Sequence, residues 1–104
     1  MSNFETLTPT RRWALTEVRS ILSRILAQHG GRAYLFGSCA EGRAAAHSDI
    51  DIGIDSAAPL SSIAAIAEAM EGSAIPYHVD IVDMRRSDPA FAEIIRRQGI
   101  SWTI

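Results

Sequence analysis

The sequence predicts an α+β fold, with helices and strands alternating in the order αβ(α)βαβαβ along 104 residues. Three observations carry that prediction. Apolar residues recur at helical spacing in some segments, they run together or alternate with period two in others, and Gly or Pro punctuates the joins. With 47% apolar and 21% charged residues, the composition is that of a packed globular chain rather than a disordered one. The length suits one domain, expected to span 1–104 as an N-terminal helix region (1–30) and a core (33–104).

Each element has a local reason. Thr8 can cap a helix whose first turn holds Pro9, where a missing N–H costs nothing. Val18, Ile21, Leu22, Ile25 and Leu26 then form one apolar face, and Gly30-Gly31 stops the helix. Ala33-Tyr34-Leu35-Phe36 is apolar throughout, as in a strand buried on both faces. After Gly37-Ser38, a polar and alanine-rich stretch runs to His47, with room for a short helix and a return loop. In residues 49–55, Ile50, Ile52 and Ile54 alternate with Asp49, Asp51 and Gly53, the period of a strand.

Pro59-Leu60 opens a second helix, with Ile63, Ile66, Ala67 and Met70 expected inward and Gly72 at its end. The third strand is expected over 77–82. Asp88-Pro89 starts the last helix, with Phe91, Ile94 and Ile95 expected inward and Gly99 beyond it. Ile100, Trp102 and Ile104 alternate in a terminal strand.

Composition removes several function classes. A formal net charge of −2 provides no broad basic field, which argues against direct nucleic-acid binding and against anionic membranes. All ten basic residues are Arg, so lysine Schiff-base chemistry and a phosphate-loop lysine are excluded. Cys39 is the sole cysteine and excludes an internal disulfide or a cysteine-based zinc cluster. The segment MSNFETLTPTRR lacks the apolar core of a secretory signal, and no run approaches the ~18 apolar residues of a membrane span. A cytoplasmic location is expected.

The strongest chemical signal is Asp49 and Asp51. Period two places both carboxylates on one strand face with Cα atoms about 6.5–7 Å apart. Such a pair can converge on two metal ions ~3.5–4 Å apart, as two-metal phosphoryl chemistry requires. Asp is disfavoured in strands, and two like charges on one strand face cost energy unless a cation compensates them. A metal site therefore outweighs a solvated edge. Gly37-Ser38 closes a buried strand; alone it is a common turn, but glycine also lets backbone approach phosphate closely. Asp80, in the third strand, shares a face with His78 and Val82. If that strand neighbours the Asp49–Asp51 strand, three carboxylates meet, and one can ligate metal and take a proton from an acceptor hydroxyl.

Other motifs fail. Residues 37–44 mimic a phosphate loop, but Arg43 and Ala44 occupy its two functional positions. Asp49-x-Asp51 cannot open a calcium loop, because Gly53, Ile54 and Leu60 stand where ligands, Gly and Glu are needed. His29, His47 and His78 have no metal-ligand spacing with Cys39; His47 and His78 are weak candidates for lining the site. The pairs Arg11-Arg12, Arg85-Arg86 and Arg96-Arg97 read as solvated faces. Arg43 is the basic residue placed near a phosphate.

Residues 35–55, LFGSCAEGRAAAHSDIDIGID, resemble the G-S-x(n)-D-x-D motif of the DNA polymerase β-like nucleotidyltransferase superfamily. Size and element order are similar to its minimal nucleotidyltransferase branch, as are VDIVDM (79–84) and the closing FAEIIRRQGISWTI. The resemblance implies a small mixed sheet of three to four strands flanked by helices. It implies that Gly37 and Ser38 hold the β- and γ-phosphates of ATP. Asp49, Asp51 and Asp80 would bind two Mg²⁺ ions, and Asp80 would activate an acceptor hydroxyl. Minimal members are commonly antitoxins paired with a HEPN-domain ribonuclease toxin, some transferring AMP to a tyrosine of that toxin. Many relatives carry Arg where Cys39 stands. The alternative is a catalytically silent antitoxin that neutralises the toxin by binding alone.

Overall fold

A computed structural model describes residues 8–37, 40 and 48–104. Helix α1 (Pro9–Leu26) begins as expected, the Thr8 hydroxyl oxygen accepting the Arg11 amide at 3.1 Å. Strand β1 (Arg32–Phe36) pairs antiparallel with β2 (Ile50–Asp55). Helix α2 (Leu60–Glu71) then crosses to β3 (Val79–Asp83), which lies parallel to β2. After one 3₁₀ turn (Met84–Arg86), helix α3 (Pro89–Gln98) starts with the Asp88 carboxylate accepting the Ala90 amide at 2.8 Å. Strand β4 (Ile100–Thr103) returns antiparallel to β1. Among the described residues the sheet is mixed, four-stranded and ordered β3-β2-β1-β4. The short helix expected between Ser38 and Asp49 falls outside the described residues.

Period two in β2 divides the structure. Ile50, Ile52 and Ile54, all fully buried, face a core built with Val18, Leu22 and Leu26 of α1 and Ile63, Ile66 and Met70 of α2. On the opposite face, Tyr34 of β1 packs with Met84 and with Ala92 and Ile95 of α3. Gly53 makes that second layer close. A methyl group there would lie 3.0 Å from both Ile95 Cγ2 and Met84 Sδ, so the missing side chain lets α3 settle onto the sheet.

Three expected core positions are corrected. Phe91 is 41% and Ile94 50% exposed, because α3 meets the sheet through a narrow face of Ala92 and Ile95. Ala67 is exposed, while Ala69 is the half-buried alanine of α2. The third strand begins at Val79 rather than at Tyr77. Among the described residues no helix is long and apolar enough to cross a membrane.

Candidate active site

The antiparallel β1 ends at the edge of the sheet where the parallel pair β2 and β3 begins. Register makes this edge acidic. Asp51 stands opposite Phe36 on one side and opposite Asp80 on the other. Asp49 lies just ahead of β2, and its neighbour Ile50 donates its amide to the carbonyl of His78 at 2.9 Å. One residue pair further in, Tyr34, Gly53 and Val82 align across the sheet and belong to the layer that α3 covers. The carboxylates therefore occupy the first positions that α3 leaves open.

The side chains converge as the backbone predicts. Asp49, His78 and Asp80, all exposed, each offer a ligand atom within 4.8 Å of the others'. His78 Nε2 is 3.5 Å from Asp80 Oδ1. Asp51 is half-buried, and its carboxyl is pushed above the ordinary range, first by burial and then by the charges of Asp80 and Asp49, with His78 acting in the opposite sense. Asp49 and Asp80 thus lie close together beside His78, with Asp51 next to Asp80 in the register; carboxylates so grouped are unfavourable without a cation, and hard divalent ions prefer oxygen donors. The donor set fits a divalent metal site.

Gly37 closes the site from the β1 side. Its φ of 72° is left-handed, and a methyl group on its α-carbon would collide with Asp51 Oδ2. The backbone after β1 thus turns directly over a carboxylate. A cleft between this turn and α3, lined by Phe36, Phe91 and Ile94, adjoins it, with the Phe36 and Phe91 rings edge to face at 6.0 Å.

The sequence-predicted residues divide into two groups. Asp49, Asp51, Asp80 and Gly37 come together at this edge, and His78, weakly indicated by sequence, stands among them. Ser38, Cys39, Arg43 and His47 lie outside the described residues.

Arg11 is a residue that sequence reasoning placed wrongly. Expected on a solvated face, it is 3% exposed. Its Nη1 donates to the Ser48 carbonyl at 2.6 Å, and its Cζ lies 3.7 Å from the Tyr77 ring centroid. The other Arg pairs are exposed as expected. Arg85 and Arg96 meet Asp55 at 2.9 and 3.7 Å, Arg86 pairs with Asp83, and Arg97 meets Glu93 at 3.2 Å. Exposed pairs of this kind contribute about 0–1 kcal/mol each.

Comparison with known proteins supports the same chemistry. The family profile described as "Polymerase beta, Nucleotidyltransferase" matches residues 22–101. A curated Haemophilus influenzae protein, "Probable protein adenylyltransferase MntA", is 34% identical over 85 residues, covering 80% of this chain and 73% of that protein. A solved structure described as a minimal nucleotidyltransferase superposes with a TM-score of 0.65 at 30% identity, over 82% of this chain and 88% of its own. A crystal structure of a toxin–antitoxin with AMP-PNP gives 0.64 at 25% identity, over 82% and 73%.

Proposed function

The chain belongs to the polymerase β nucleotidyltransferase family, and from that premise we propose that it is a protein adenylyltransferase acting as the antitoxin of a toxin–antitoxin pair. Its substrate is ATP. Its acceptor is a hydroxyl, a tyrosine, on a HEPN-domain ribonuclease toxin. The observation that carries this reading is the placement of Asp51 opposite Asp80, with Asp49 alongside and Gly37 turned against Asp51. The likeness to a curated adenylyltransferase and to a nucleotide-bearing toxin–antitoxin supports the choice of AMP and of a protein acceptor.

In this reading Asp49, Asp51 and Asp80 hold two Mg²⁺ ions. When bound, the ions offset charge on the triphosphate and on the reacting oxygens. Gly37 brings main chain against the β- and γ-phosphates without a side chain in the way, and Ser38 and Arg43 add a hydroxyl and a guanidinium. The acceptor oxygen attacks the α-phosphorus; the bond to the bridging oxygen breaks, and pyrophosphate leaves. The proton of the acceptor passes to the Asp80 carboxylate, which His78 Nε2 faces at 3.5 Å. A cytoplasmic setting goes with this reading, since ATP and a ribonuclease partner would both be met there.

Pyrophosphate release in the presence of ATP, Mg²⁺ and the partner toxin tests the reading. The unmodified chain is expected to release it, whereas Asp80→Asn and Asp51→Asn lose well over ~10-fold, beyond the cost of removing a supporting metal contact. Full neutralisation of the toxin by a variant lacking all three carboxylates, with no pyrophosphate released by the unmodified chain, would make it a binding antitoxin.

A further inference from the structure

We infer that Arg11 is a positioning residue, holding the Asp49 carboxylate in register with His78 and Asp80; the inference rests on the metal-site reading above. Asp51 and Asp80 are fixed by the β2–β3 ladder itself. Asp49 is not, since β2 begins only at Ile50. Its backbone is held through the peptides on either side, one by the first rung of that ladder and one from α1. On the following side, the Ile50 amide donates to the His78 carbonyl at 2.9 Å. On the preceding side, the Ser48 carbonyl, part of the same peptide plane as the Asp49 nitrogen, accepts Arg11 Nη1 at 2.6 Å.

The guanidinium is pinned in turn. Arg11 is buried, its guanidinium lies over the Tyr77 ring with 3.7 Å from Cζ to the centroid, and Tyr77 immediately precedes His78. One side chain from α1 therefore ties the segment before Asp49 to the segment before His78. A planar fork can donate in one direction while stacking in another, which a lysine cannot reproduce.

Mn²⁺ binding to the metal-stripped full chain, followed by calorimetry, tests this without recourse to activity. Arg11→Met is expected to weaken Mn²⁺ binding ~10–100-fold, the usual cost of losing a group that orients a metal ligand. Arg11→Lys should recover only part of that loss. Tyr77→Phe keeps the ring and should bind as the unmodified chain does, whereas Tyr77→Leu should lose affinity. In an Asp49→Asn background, Arg11→Met should cost little more, because the two changes act on one ligand. Val18→Ala, a buried change on the same helix, should lower the melting temperature without altering affinity.

Undiminished Mn²⁺ binding by folded Arg11→Met overturns the inference. So does a full additional loss in the Asp49→Asn background, or a loss of affinity in Val18→Ala matching that of Arg11→Met. If Arg11→Met does not fold, Arg11→Lys and Tyr77→Leu decide by the same criteria. Absence of Mn²⁺ binding by the unmodified chain overturns the metal-site reading itself, and the inference with it.

Discussion

Gly37 and Asp51 occupy one another's space: the turn that ends β1 passes so close to the Asp51 carboxylate that a β-carbon on Gly37 would collide with Oδ2. Gly37→Ala therefore carries two penalties, the collision and an alanine at φ 72°. The left-handed conformation alone costs about 1–2 kcal/mol. We expect urea unfolding to show at least that loss and AMP transfer to fall ~10-fold or more as Asp51 is displaced. Transfer unchanged in a folded Gly37→Ala variant would remove the turn from the site.

Asp51 makes stability depend on pH and on metal in a defined direction. Folding raises its carboxyl pKa through burial and the neighbouring Asp80 and Asp49 charges. Its stabilising contribution is thus complete below the ordinary carboxylate pKa and is lost as pH rises through the raised value. In EDTA at neutral pH, Asp51→Asn should melt a few degrees above the unmodified chain. The gap should close as pH falls below about 4, where the unmodified carboxyl is protonated in both states. Saturating divalent metal should reverse the order, since binding at 100 times Kd stabilises the unmodified chain by about 2.7 kcal/mol. Identical melting curves under all three conditions would contradict this account of Asp51.

Adjacent isoleucines on α3 should behave oppositely. Ile95 is 1% exposed against Gly53 and Met84, whereas Ile94 is 50% exposed. Ile95→Ala should cost about 2–5 kcal/mol in chemical denaturation, and Ile94→Ala about 0.5 kcal/mol. Equal costs would mean that α3 is rotated from the orientation described.

These results show which parts of the molecule the sequence makes legible. Capping by Thr8 and Asp88, the prolines that follow them, and the period-two isoleucines of β2 are local signals, and local physics reads them correctly. The meeting of Asp80 with Asp51 required one assumption about strand neighbours, and the β2–β3 register supplies it.

Arg11 lay beyond such reading. Its carbonyl partner is 37 residues away, and an Arg-Arg pair on a helix otherwise reads as solvated. Phe91 and Ile94 misled for a related reason. Helical spacing shows that a face is apolar but not how wide a strip the sheet will cover, and here Gly53 lets α3 settle onto the sheet through Ala92 and Ile95. His78 shows no ligand spacing in sequence; its place beside Asp49 and Asp80 follows from its position one residue ahead of β3.

The most direct test of the central claim, that the three-carboxylate edge transfers AMP to a protein, is the intact mass of the partner toxin. The toxin would be incubated with ATP, Mg²⁺ and either the unmodified chain or its Asp49→Ala/Asp51→Ala variant. Toxin mass is expected to rise by whole AMP units with the unmodified chain and to stay constant with the variant. A mass that stays constant with both, while both still form a stable complex with the toxin, would contradict it.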